Sequence, residues 1–272
     1  MTAKLPFETA SFFLSSRKIF IFIPEPKTMI MKRIVLAFIV CFIALGAMSQ
    51  ITFGPKLGLN LSKYAYEWSD DWDEPQVKFR LGGSIGGMMN LQINDWLAFQ
   101  PSLTFTKKGT AHDVDSWNSG QYVYTGYDRD RISYIELPLN LAAGIRLGSG
   151  QIQLFVGPYI AFAIAGVNRW NYEENDNGVR TDFKDSKKIK FKNEVPEGHD
   201  GDEDIAFYQR PLDYGFDLGI GYKYKQYLFN VGYAMGLANL QPDRSKAGFD
   251  AKDFKYANRT IFFTVAWLFG DE

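Results

Sequence analysis

The chain has 272 residues, with 30 Lys and Arg against 31 Asp and Glu and a formal net charge of −1. Charges this balanced give no overall electrostatic reason to bind nucleic acid, which requires a basic surface to neutralise phosphates, and the length fits one domain. An aromatic content of 16% and 25 glycines favour strands over a bundle of membrane-spanning helices.

Met31-Lys32-Arg33, the apolar run Ile34 to Leu45 and the small residues Gly46-Ala47-Met48-Ser49 form a basic, apolar and cleavable series, the pattern of a secretory signal peptide. The apolar run is short of the roughly 20 residues that a helix needs to cross a bilayer, so cleavage after Ser49 is expected, leaving Gln50 first. Residues 1–28 carry a second apolar cluster, Ile19 to Ile23, separated from the first by Pro24 and Pro26, which break a continuous helix. We read 1–28 as an upstream start-site artefact or a disordered extension, 29–49 as the signal peptide and 50–272 as one domain. The alternative is a longer anchor. Cys41 lies in the segment expected to be removed, so the mature chain is expected to lack thiol chemistry of any kind.

From Gln50 onward apolar residues recur with period 2, the signal of strands with two different faces. The first strand sets Phe53, Leu57, Leu59 and Leu61 against Thr52, Gly54, Lys56, Gly58, Asn60 and Ser62. The second sets Phe79, Leu81, Ile85, Met89 and Leu91 against Lys78, Arg80, Gly82, Ser84, Gly86 and Asn90. Further strands are predicted over Trp96 to Thr106, Ile132 to Arg146, Gln151 to Ile164, Leu212 to Tyr224, Tyr227 to Leu237 and Arg259 to Phe269, making eight. Tight turns at 93–95, 147–150 and 225–226 alternate with long polar loops near 63–77, 107–130, 168–208 and 240–257. Short turns at one end and long loops at the other belong to a transmembrane barrel. A soluble sandwich or lipocalin-like barrel would carry a charged, solvated second face. Here that face is mostly Gly, Ser, Thr, Asn and Ala, which suits the crowded interior of a narrow barrel. Trp96, Tyr222, Tyr224, Tyr227, Trp267 and Phe269 fall near strand ends, where an interfacial girdle would sit. Pro101, Pro138 and Pro158 fall inside predicted strands, and bulges are expected there.

Phe53-Gly54-Pro55-Lys56-Leu57-Gly58-Leu59-Asn60-Leu61-Ser62 resembles the first strand of the PorT-like outer-membrane β-barrel family, often labelled porin family. Tyr134 to Leu139, Phe155-Val156-Gly157-Pro158-Tyr159 and Tyr214 to Gly221 resemble that family in the same order, so the resemblance spans the mature chain. It implies an all-β fold, an eight-stranded antiparallel up-and-down transmembrane β-barrel in the outer membrane of a Gram-negative cell, with no catalytic residues to carry over. It also implies a link to protein secretion. Thr260 to Phe269 resembles the aromatic-ended strand read by the barrel-assembly machinery, with Gly270-Asp271-Glu272 beyond it.

The inward face is expected to gather Lys56, Lys78, Arg80, Glu136, Asp213, Asp217 and Lys223, with Gln100 and Asn140, as a charge network that fills the lumen. The alternative is a narrow channel for ions or small solutes, its selectivity set by those charges; glycines at 58, 82, 86, 219, 221, 232 and 236 favour it by removing filling volume. Asp200, Asp202 and Asp204 imitate the start of a calcium loop, yet the sixth position is not Gly and the twelfth is Pro211, so a solvated acidic loop is the preferred reading. Loop aromatics, among them Trp68, Trp72, Trp117, Tyr124 and Trp170, either form a contact surface or pack on one another above the rim.

An acyl-transfer enzyme would need a base beside a nucleophile on adjacent strands, and both His112 and His199 fall in predicted loops. We therefore expect a non-catalytic barrel serving binding, assembly or envelope integrity, with no cofactor. Its expected partners are outer-membrane lipid, the assembly machinery and an envelope or secretion-system protein.

Overall fold

The computed structural model describes residues 50–68, 77–118, 122–176, 178–197, 207–247 and 254–270. The expected signal peptide, Trp72 and the acidic run Asp200, Asp202 and Asp204 lie outside them. In chain order the strands are β1 (Gln50–Trp68), β2 (Val77–Lys78), β3 (Arg80–Gln92), β4 (Leu97–Lys108), β5 (Ala111–Asn118), β6 (Tyr122–Leu147) and β7 (Gly150–Asp176). They continue with β8 (Val179–Lys188), β9 (Lys190–Phe191), β10 (Tyr208–Gln209), β11 (Leu212–Tyr224), β12 (Tyr227–Gly236) and β13 (Phe254–Trp267).

Eight of these form a ring in the order β6, β4, β3, β1, β13, β12, β11, β7, and the β6–β7 pairing closes it. Every pairing around the ring is antiparallel, so each strand neighbours the next along the chain and the last lies against the first. These are the eight segments that alternation predicts. Closure matters physically because it leaves no edge within the ring on which N–H and C=O groups lack partners.

The period-2 pattern is turned inside out. Phe53, Leu59, Leu81, Leu154 and Leu218 point outward with more than half of their surface exposed, whereas Thr52, Asn60, Thr104, Gln153, Asp217 and Thr264 point inward and are buried. At the turn end the chain reverses tightly. The Asn94 side-chain oxygen accepts from the Trp96 and Leu97 amides at 3.0 and 2.9 Å, and Gly148 takes a φ of 60°, a left-handed conformation that a residue with a Cβ adopts at a cost.

Three features differ from expectation. The described residues of the segments 107–130 and 168–208, expected as loops, are largely strand. β6 and β7 run on past the ring to Tyr122 and Asp176, and β5 and β8 add to their outer flanks, making a protruding ribbon. Its β-branched and aromatic residues, such as Tyr122-Val123-Tyr124-Thr125, carry strand propensity without an apolar face, which is why alternation misses it.

The prolines bend no register. Pro101 stays opposite Leu139, Pro138 opposite Tyr159 and Pro158 opposite Phe216, in register with the pairs on either side. Each is absorbed by forgoing a ladder hydrogen bond rather than by a bulge. The irregularities fall instead between Val114 and Trp117 in β5 and opposite Ser133 and Tyr134, where β7 passes from Ala165 to Ala163. That extra residue moves β7's inward positions from odd (Tyr159, Ala161, Ala163) to even (Gly166, Asn168) numbers.

Finally, the loop end is roofed. β9 and β10 pair in parallel, and Arg210 donates its amide to the Leu240 carbonyl at 2.9 Å. Ile189 and Leu240 pack from above on Tyr64, Ile132, Tyr134, Tyr159 and Ala163 inside the ring.

Candidate functional site

The interior is built in layers. At the turn end an open mouth of about 600 Å³ is lined by Asn90, Gln92, Asp95, Arg146, Lys223 and Lys225 among others. An amide layer closes it from within. Gln100 donates to Asn90 at 2.9 Å and to Gln153 at 3.2 Å, and Gln153 donates to Asn230 at 3.4 Å.

Above this layer Lys56 donates to the Ser102 hydroxyl at 3.3 Å. The centre of charge is Lys108, whose Nζ lies 2.5 Å from Glu136 Oε2 and 3.6 Å from Asp213 Oδ2, and 4.5 Å from the centre of the Tyr159 ring. Asp213 also accepts from Asn258 at 2.8 Å and from the Tyr159 hydroxyl at 3.3 Å. Asp217, Lys56, Glu136 and Lys108 surround a void of about 30 Å³, room for about one water molecule. Gln209, in the roof, accepts from Tyr64 at 3.2 Å and donates to the Tyr134 hydroxyl at 2.9 Å.

Of the residues expected to share a lumen network, the structure brings Lys56, Glu136, Asp213 and Asp217 together, with Gln100 and Asn140 also buried inside. Lys223 is inward but at the turn-end mouth. Arg80 is inward at the loop end, near Arg131, Arg129 and Asp130. Lys78 corrects the expectation. It sits in β2, off the ring, largely exposed and ion-paired with Asp113. The strand breaks at Phe79, so alternation carried one residue too far assigns Lys78 the inward phase. Sequence reading missed Lys108 by ending its strand at Thr106, although Ser102, Thr104, Thr106 and Lys108 continue one phase.

At the loop end Asn168 donates to Asp128 at 2.5 Å and to Asp130 at 2.9 Å. Burial pushes the Asp130 carboxyl up to about 7, only partly opposed by the Asn168 hydrogen bond, and raises Asp128 for the same reason. His112 shares a 3.0 Å hydrogen bond with the Tyr66 hydroxyl, and burial lowers its pKa against the pull of Asp128.

Trp170 stacks on Phe207 with centroids 5.5 Å apart. Trp117 and Tyr124 are cross-strand partners, and Trp68 lies opposite Phe254. Among the described residues no group of three or more His, Cys, Asp or Glu is disposed to hold a metal.

A closed antiparallel ring with an apolar exterior and a polar, internally paired interior defines a strand-built membrane protein, because hydrocarbon offers backbone groups no partner and tolerates no open edge. The sequence pattern of the family described as outer membrane protein beta-barrel domain matches residues 46–241. The chain belongs to this family, and the outer membrane is its location. Among solved structures it is similar to the attachment invasion locus protein Ail of Yersinia pestis, at 10% identity over 82% of this chain and 100% of that one with a TM-score of 0.34. It is also similar to Neisserial surface protein A, at 11% identity over 80% of this chain and 97% of that one with a TM-score of 0.29. At these values neither bears on function. No curated protein matches the chain.

Proposed function

We propose that this is a non-catalytic outer-membrane barrel whose lumen is a plug and whose loop-end ribbon and roof face the exterior to serve binding, assembly or envelope integrity. One observation carries the reading. Between the amide layer and the Gln209 roof, Lys108 is held by Glu136 and Asp213, and the void beside them is only about 30 Å³. Side chains fill a ring of this size. The long connections lie at one end, which in such proteins is the outer side, with the three tight turns in the periplasm. The PorT-like subfamily, cleavage of a signal peptide after Ser49 and an envelope or secretion-system partner belong to this reading. His112, the base that an acyl-transfer reading would call on, is engaged by Tyr66.

The test is conductance of the refolded protein in a planar bilayer, with and without residues 190–207. Silence of the intact protein is expected, and steady channels from it would overturn the plug. The mouth of about 600 Å³ favours one second reading, a narrow path gated by the roof. Channels that appear only after the deletion would establish it.

A further inference from the structure

The outward column of β6 passes from Ile145 through Leu141 and Leu137 to Ile135, all exposed apolar side chains, and then changes character at Arg131 and Arg129. Ile145 to Ile135 spans about 34 Å of strand, which at the tilt of such barrels gives roughly the 25 Å height of an apolar band. Arg131 and Arg129 therefore stand just above the hydrocarbon edge at the loop end.

They are not alone at that height. Arg129 lies directly opposite Arg169 on β7, and Arg169 lies opposite Ser186 on β8. Lys184 faces Asn171, which in turn faces Tyr127. Together Tyr127, Arg129, Arg131, Arg169 and Lys184 line an outward cavity of about 470 Å³. Its lining carboxylate, Asp185, accepts a hydrogen bond at 2.7 Å from the amide of Ser186. The Arg129 guanidinium lies 4.1 Å from the centre of the Tyr127 ring, which orients it.

Cations also flank the apolar band on other strands. Lys63 of β1 lies opposite Arg259 of β13, and Lys107 of β4 lies opposite Ser133 of β6. The turn-end edge of the same band is instead aromatic, with Tyr222, Tyr224, Tyr227 and Trp267 exposed. Like charges set directly opposite on neighbouring strands repel. One such cross-strand pair, Arg129 with Arg169, lines the cavity, and a bound anion would offset its repulsion. Guanidinium forks in particular match phosphate oxygens in pairs.

We infer that the cavity of Arg129, Arg131, Arg169 and Lys184 is a docking site for the phosphorylated headgroup of an outer-leaflet lipid, whose acyl chains lie along the Ile135–Leu137 face below it. Height and chemistry together select this occupant. A soluble anion needs no apolar wall beneath the cations, and a neutral lipid needs no cations. The inference rests on the loop end lying in the outer leaflet, as proposed above.

The test titrates the protein, refolded in dodecyl maltoside micelles, with bisphosphorylated lipid A, with the same lipid stripped of phosphate, and with inorganic pyrophosphate, following tryptophan fluorescence. The phosphorylated lipid should bind, weaken as salt rises, and lose about tenfold or more in affinity in the Arg129→Gln/Arg169→Gln variant. Equal affinity in the variant would overturn the site, as would equal binding of the phosphate-free lipid. Pyrophosphate binding as tightly as the lipid would replace it with a free-anion site. Should the variant fail to refold, the comparison of the two lipids on the unaltered protein decides. Labelling of Lys184→Cys on intact cells separates the two failures: absence of label refutes the outward placement, whereas label without lipid binding refutes the site alone.

Discussion

Lys108 is the residue on which the interior turns. Its ammonium is buried with two carboxylates and a tyrosine ring around it, and removing one partner of such a group strands the others in low dielectric at about 3–5 kcal/mol. Lys108→Met should lower the urea stability of the refolded protein by that amount, and adding Glu136→Gln and Asp213→Asn should recover most of it. At the loop end the sign of a pH effect follows from Asp130. Its carboxyl titrates near 7 in the fold against an ordinary value of 3.8, so between those values the folded state holds more protons than the unfolded one. Stability from this group is therefore present below about pH 4 and falls as pH rises towards 7. Asp130→Asn should flatten that fall in a thermal-unfolding series across the same range. Inward residues such as Lys56 and Asp217 were legible because a strict period of two assigns each a face. Lys78 and Lys108 were not, because each stands at a strand end, where a one-residue error in the boundary reverses or deletes the assignment.

At the scale of elements, strands with an apolar face were legible and strands without one were not. β3 reads cleanly from Leu81, Ile85 and Met89, whereas β8, exposed along nearly its whole length, offers no amphipathic contrast. Proline misled in the opposite direction, since three ladders lose a bond and keep their register. Glycine has a sharper role than filling volume. A Cβ on Gly86 would meet the Leu103 carbonyl oxygen and backbone of the neighbouring β4 within contact distance, so β3 and β4 approach as they do because that side chain is absent. Gly86→Val should weaken the β3–β4 seam, read as loss of the compact, heat-modifiable band of the refolded protein on a detergent gel. Persistence of that band in unboiled samples would show that the seam tolerates the side chain.

For the whole molecule, the ring and the ribbon divide the labour. The ring satisfies its backbone by closing on itself, and the ribbon projects the same sheet past the membrane. External trypsin on intact cells should therefore cut first in β8, at Arg180, Lys184, Lys187 or Lys188, while mass spectrometry finds the ring strands protected. Early cleavage within β3 or β11 would contradict the placement. The barrel class and its location were legible from alternation and loop lengths, which are global properties. The lumen charges were legible only as a set, since their pairing depends on contacts between strands distant in sequence.

The ribbon carries one further consequence. β2 and β8 are the end strands of the sheet, and an end strand presents a row of backbone groups to which another chain can add. Along β8, six of the ten residues are charged: Arg180, Asp182, Lys184, Asp185, Lys187 and Lys188. A second copy arriving edge to edge would have to strip water from these charges, so resistance to pairing in the plane of a crowded membrane is written into a strand exposed along nearly its whole length. Replacing Lys184, Lys187 and Lys188 with threonine should promote pairing of two copies through β8, visible as a dimer band on crosslinking.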